Sequence, residues 1–331
     1  LLHSVVGGHP KIHGAQTEWF GWGYHRPQLA RAAGVPAPDT PERMRRLLKV
    51  GLTETSMRKT GADLDVALSL VDDYPADWDH LMLIVVEAMR RSSELATITV
   101  KTPSIESDML HVHDFFTANG WDVHWIYSVR HPFDAYLSYR KIASEWSRAL
   151  AHTDVLRWAG RWIDSGGEAL QGLAALGPDR FRIQRFEDLL ADPLGACRRI
   201  CEWLDLEDAA EEMTLAQGRD SNTSFRNQGP LKTTGAVQDL RDRPRVGLSR
   251  AEEESLRIVC AGPGRAFGYD LGPVPPRAEL PRHMHQSLRM AQLSARNYAH
   301  FVPRELFRRA VRVCRTAYST ATGRPTVSSG F

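Results

Sequence analysis

Residues 129–141 read VRHPFDAYLSYRK, and two of their side chains suit the grip of a phosphate. Arg130 offers a planar fork of N–H donors that matches a phosphate bidentately, and Ser138 adds a hydroxyl eight residues on. The elements around them decide whether they can converge. Trp121–Val129 is rich in β-branched and aromatic residues and follows Gly120, which reads as a buried strand. Pro132 suits the first position of a helix, and Phe133, Tyr136, Leu137 and Arg140 continue at helical spacing. Arg130 is therefore expected at the carboxyl end of a strand and Ser138 in the second turn of the next helix. In parallel α/β sheets that edge binds ligands. The same stretch also reads as an exposed arginine and a solvated helix serine.

The pattern around this turn alternates. A helix is expected over 41–50, with Thr40 as N-cap, Pro41 at N1 and Gly51 as its stop. Further helices fall near 62–73 and 77–92, a strand at Leu95–Val100, and a helix from Ser107 to Ala118 ended by Asn119-Gly120. Helices cross 153–175, a strand covers Arg180–Phe186, and Pro193–Trp203 is helical. Ser249-Arg-Ala-Glu252 is a capping box that opens a helix through about Cys260. Leu1–Val6 looks like the back half of a helix. Strands separated by helices imply an α/β fold, a parallel sheet with helices on both faces. Residues 218–247 read as a long irregular loop, of the kind that often carries function.

Apolar content of 42% and charged content of 25% are ordinary for a globular protein. The net charge of +2 hides an asymmetry: residues 277–331 hold ten arginines against two glutamates, so they carry +8 and residues 1–276 sum to −6. The main body is not a nucleic-acid binder by charge. In the tail, Leu306, Phe307, Ala310, Val311 and Cys314 share one helical face, and Arg304, Arg308, Arg312 and Arg315 the other. Such a helix either lies on an anionic membrane or docks on protein, its own body or a partner subunit. Cys197, Cys201, Cys260 and Cys314 form no disulfide framework, and no CxxC or HExxH spacing indicates a metal. Neither a signal peptide nor a membrane-spanning run is evident, so a cytoplasmic setting is the default expectation.

Taken in order, several segments resemble the sulfotransferases that use 3′-phosphoadenosine 5′-phosphosulfate (PAPS). Val129–Ser138 is similar to their 3′-phosphate motif, which implies that Arg130 and Ser138 grip that phosphate. Arg185-Phe-Glu-Asp-Leu-Leu-Ala-Asp-Pro193 is similar to their "YEDL…dP" segment, with Phe186 in place of tyrosine. Thr223-Ser-Phe225 resembles the stretch that holds adenine, which implies that Thr223 bonds its edge and Phe225 stacks on it. Lys101-Thr-Pro103 ends a strand as the family's lysine motif does, and Phe267-Gly-Tyr269 matches a common "GY" close. Lys232, in Leu231-Lys-Thr-Thr-Gly235, is a loose counterpart of a further phosphate-binding loop. The resemblance implies a P-loop NTPase-like sulfotransferase fold over residues 1–271. Residues 272–331 then form a proline-rich linker and basic helical extension.

The family's Gly/Ser/Thr loop for the 5′-phosphosulfate usually lies directly before a segment like Leu1–Pro10, so the chain is expected to begin just after it. Sulfuryl transfer needs cations and oriented N–H groups around the leaving phosphate, and a base for the acceptor proton, but no metal. Lys101 is expected to supply positive charge near the leaving oxygen. Where some members carry a basic histidine after the lysine, this chain has Pro103, which cannot take a proton. Other branches use a glutamate shortly after "HP", which implies Glu18, in a loop beside Trp19 and Phe20 whose desolvation would raise its pKa. His13 is the runner-up. His111 and His113, two apart on a helix, face different directions and read as surface or partly packed. Two other readings compete: a P-loop kinase acting on a small molecule, and a non-catalytic remnant that binds adenine nucleotide. The sequence does not name the acceptor: a small molecule such as a phenol, a carbohydrate, a lipid-linked sugar and a peptide tyrosine all stay open.

Overall fold

A computed structural model describes residues 2–18, 26–102, 105–146, 155–215 and 247–273. Its first elements are α1 (Leu2–Val6), β1 (Ile12–Glu18), α2 (Arg26–Ala33), α3 (Pro41–Glu54) and α4 (Leu64–Ser69). There follow α5 (Trp78–Ser93), β2 (Thr97–Lys101), α6 (Met109–Ala118), β3 (Trp125–Val129) and α7 (Pro132–Trp146). The rest are α8 (Val155–Leu176), β4 (Phe181–Arg185), α9 (Phe186–Ala191), α10 (Pro193–Trp203), α11 (Ala210–Leu215) and α12 (Arg250–Ala266). The expected helix-rich α/β class is the observed one.

Local chemistry explains most boundaries. The Thr40 hydroxyl accepts the Arg43 N–H at 3.3 Å with Pro41 at N1, and α3 buries Met44, Leu47, Leu48, Gly51 and Leu52 along one stripe. Gly51 does not stop this helix. A Cβ there would stand 3.0 Å from the Met57 sulfur, so the glycine serves packing and the helix runs on to Glu54. In α12 the expected capping box forms, with Ser249 and Glu252 exchanging bonds, but the helix passes Cys260 and contains Pro263.

Two units compose the chain, Leu1–Ser128 with Gly172–Arg241, and Val129–Gln171 with Asp242–Phe331. In the first, α5 is buried on every residue from Leu81 to Met89, as a helix at the centre of a core must be. Its one buried acid, Glu87, is held below the usual carboxylate range by Arg90, with Arg91 adding to the effect. A second cluster joins Val5, Val6 and Ile12 to Cys197, Ile200, Cys201 and Met213. Burial raises the Cys197 thiol to about 11, as suits a packing residue rather than a redox group.

The expected single sheet is, among the described residues, two two-stranded sheets, β1–β2 and β3–β4. β1 and β2 are parallel, as expected, but β1 itself corrects the reading of Glu18: it is the last residue of a strand, not part of a loop. The polar Ile12-His-Gly-Ala-Gln-Thr-Glu18 lacks a strand signature. It is a strand because Gly14 lets its backbone press on Gly7, where an added Cβ would stand 2.8 Å from the Gly7 Cα. In the second unit Phe133, Tyr136, Trp158, Trp162, Leu256, Cys260, Phe267 and Tyr269 are each buried.

Candidate active site

In the first unit, the parallel register sets Ile12 opposite Thr97, Gly14 opposite Thr99, and Glu18 opposite Lys101. Four residues of β1 thus span two of β2, an irregularity of the β-bulge kind that brings the two strand ends level. The candidate base and the candidate lysine are therefore neighbours across one strand pair, both at carboxyl ends, where parallel strands present residues to ligands. His3 lies beside them: its Nε2 donates to the Thr99 carbonyl at 3.4 Å. Burial pushes the His3 imidazole below the ordinary histidine value, and the nearby Lys101 charge adds to that, so it is neutral at pH 7.

The other described histidines of the first unit have structural partners. His13, the runner-up base, donates from Nε2 to the Thr60 carbonyl at 2.8 Å, and its ring lies against Gly61 at φ +83°. His9 is buried; its Nδ1 accepts the Lys11 N–H at 3.0 Å, so Nε2 carries the proton and donates to the Glu207 carbonyl at 3.0 Å. His111 bonds Asp79 at 2.8 Å on the surface, and His113 accepts the Trp125 indole N–H at 3.4 Å. Asp192 caps α10 by accepting the Gly195 N–H at 2.9 Å with Pro193 at N1, so the "dP" end of the Arg185–Pro193 segment is a helix start.

In the second unit Arg130 follows β3 directly, Pro132 opens α7, and Ser138 lies in its second turn, as the sequence implied. Both side chains are half-buried. Sequence reasoning missed what holds this turn. The Trp162 indole N–H donates to the Arg130 carbonyl at 3.1 Å, and the Tyr269 hydroxyl donates to the Val129 carbonyl at 3.3 Å. His131 is buried, accepts the Phe133 N–H at Nδ1 (3.3 Å), and meets Phe133 and Tyr269 edge-on at 5.1 and 5.3 Å. The available signal was that a buried tryptophan or tyrosine must place its polar atom somewhere.

Arg140, two residues beyond Ser138, was also missed. Its guanidinium donates to Glu252 at 3.0 Å and to the Gly247 carbonyl, while the Tyr136 hydroxyl reaches Glu252 at 3.2 Å. Burial works against the Glu252 charge, but the Ser249 bonds and the Arg140 charge outweigh it and hold the carboxyl below its usual range. Thus α7, the helix of Ser138, also anchors the start of the segment that follows residues 216–246. Thr223, Phe225 and Lys232 lie outside the described residues, as do Pro103 and residues 274–331. No group of three or more metal-ligating side chains occurs among the described residues, and no helix there is long and apolar enough to cross a membrane.

A family model described as the sulfotransferase family matches residues 1–210. The sulfotransferase domain from the Synechococcus PCC 7002 olefin synthase superposes with a TM-score of 0.52 at 19% identity, covering 82% of this chain and 90% of that one. The sulfotransferase domain from the curacin biosynthetic pathway gives 0.49 at 17% identity, covering 82% and 93%. Comparison with curated proteins returns no match.

Proposed function

We propose that this chain, which belongs to the sulfotransferase family, moves a sulfuryl group from PAPS to a hydroxyl or amine of an acceptor. The observation that carries this reading is the turn at the end of β3: an arginine, a proline opening a helix, and a serine in that helix's second turn. Arg130 and Ser138 hold the 3′-phosphate of the donor, the arginine through its fork and the serine through its hydroxyl. The N-terminus of α7 adds the positive end of its helix dipole. Thr223 and Phe225 receive the adenine, and Lys232 adds a phosphate contact.

In the first unit, Glu18 takes the proton of the acceptor hydroxyl or amine as that atom attacks sulfur. The new O–S or N–S bond forms in line as the bond from sulfur to the 5′-phosphate oxygen breaks. The products are the sulfated acceptor and 3′,5′-adenosine bisphosphate. Lys101 places its ammonium where negative charge grows on the leaving phosphate. The register that sets Glu18 opposite Lys101 supports this division of labour, since it brings the two residues side by side at the ends of one strand pair. The acceptor class is open among small molecules such as phenols, carbohydrates, lipid-linked sugars and peptide tyrosine.

Arg130→Ala tests the donor assignment. Losing a charge-assisted clamp should weaken 3′,5′-adenosine bisphosphate by about 10–100-fold and leave AMP, which lacks the 3′-phosphate, nearly unaffected. Calorimetric titration of both nucleotides measures the ratio, and equal weakening of the two would refute the reading.

A further inference from the structure

The geometry assigns Trp162 and Tyr269 a positioning role: together they set the backbone angles of Arg130 and so the direction in which its guanidinium leaves the chain. This rests on the reading of Arg130 as a phosphate-binding residue. Two peptide planes flank its Cα. Rotation about N–Cα turns the plane that carries the Val129 carbonyl, and rotation about Cα–C turns the plane that carries Arg130's own carbonyl. Tyr269 donates to the first carbonyl at 3.3 Å and Trp162 to the second at 3.1 Å. With both planes held, both soft angles are held, and the Cα–Cβ bond has one direction.

The second carbonyl has no place in the helix that follows. The first backbone bond of α7 runs from Ala135 N to His131 O at 2.9 Å, one residue past Arg130. Removing the indole N–H takes away a donor that fixes the Arg130 carbonyl and leaves that peptide freer to turn. The two donors are themselves built in. Trp162 meets Phe267 edge-on at 5.8 Å, and Gly166 leaves room for that ring, since a Cβ there would lie 2.9 Å from it. Tyr269 stands against His131 at 5.3 Å and is buried. One turn of α8 and the closing segment Phe267-Gly-Tyr269 therefore frame a single residue.

The test removes each donor atom and leaves an aromatic ring at each position. Tyr269→Phe and Trp162→Phe are titrated, as the full chain, with 3′,5′-adenosine bisphosphate and with AMP, alongside Arg130→Ala. Each Phe variant should lower the preference for the 3′-phosphorylated nucleotide by about 3–10-fold, the scale of one neutral hydrogen bond. A role confined to stability would instead lower the thermal midpoint and leave that preference intact, which would overturn the inference. If Trp162→Phe does not fold, Tyr269→Phe, which loses only one oxygen, decides the matter alone. If Arg130→Ala abolishes the preference while both Phe variants keep it, the positioning role fails and the phosphate assignment stands. If Arg130→Ala itself leaves the preference unchanged, the assignment fails and the inference with it.

Discussion

Glu18 and Lys101 end two strands whose backbones bond to each other, whereas Arg130 sits in a turn held by an indole and a phenol. In the strand pair, several main-chain contacts in register place the two residues, and no single side chain is responsible. In the turn, two side-chain donors from residues 32 and 140 positions away along the chain carry the placement. A ladder is robust to side-chain change but sensitive to anything that alters backbone approach. A turn framed by side chains behaves the other way. Substitutions at the first region should therefore act either on chemistry alone or on the whole strand, with little between.

The largest effect expected is at the chemical end of the strand pair. Glu18→Gln keeps shape and hydrogen bonding but cannot accept a proton, so kcat should fall about 10²–10⁴-fold. Donor affinity, measured by titration, should stay near the wild-type value, because the ladder still holds Lys101. Near-normal turnover would return attention to His13, whose Nε2 is already bonded to Thr60.

A smaller effect, but one aimed at the ladder itself, is expected from Gly14→Ala. The added Cβ would meet the Gly7 Cα at 2.8 Å, a contact with backbone that cannot rotate away. Stability should drop by about 1–3 kcal/mol in urea denaturation, the usual cost of overpacking. Because β1 must shift, kcat should fall as well, while the preference for 3′-phosphorylated nucleotide is kept. Loss of that preference in Gly14→Ala would erase the distinction between the two regions.

The mildest effect expected is on acid sensitivity, which the first unit should dominate. Burial pushes His3, His113 and His124 below the ordinary histidine value. Below a pH of about 6.5 the unfolded chain binds protons that the folded imidazoles refuse, so stability falls as pH drops. The fall continues until pH reaches the lowered folded values and then levels off. Glu87, held down chiefly by Arg90, acts in a lower window, its contribution lost only as pH falls through its own depressed value. Urea midpoints between pH 8 and 5 measure the first window, and His3→Gln should flatten the curve. An unchanged slope in that variant would remove His3 from the account.

Much of this molecule was legible in its residues. Thr40-Pro41, Pro193 and Ser249–Glu252 start helices where they stand, because a cap satisfies donors within its own turn and needs nothing distant. The turn from β3 into α7, with Arg130 and Ser138 on either side of Pro132, was readable for the same reason. The order of such segments was enough to point to the sulfotransferase family. Tertiary structure alone decided the rest. β1 has no strand signature and forms by pairing with β2, about eighty residues on, so Glu18 moved from a loop to a strand end. Gly51 carries a stop signal, yet contact with Met57 makes it an interior packing residue. Trp162 lies inside a long helix and Tyr269 ends a closing motif, but each has one polar atom whose partner no local pattern names. Propensities and caps act over a few residues of chain. The partners of a buried N–H or hydroxyl are set by which distant segments the core brings together, and only the folded chain contains that information.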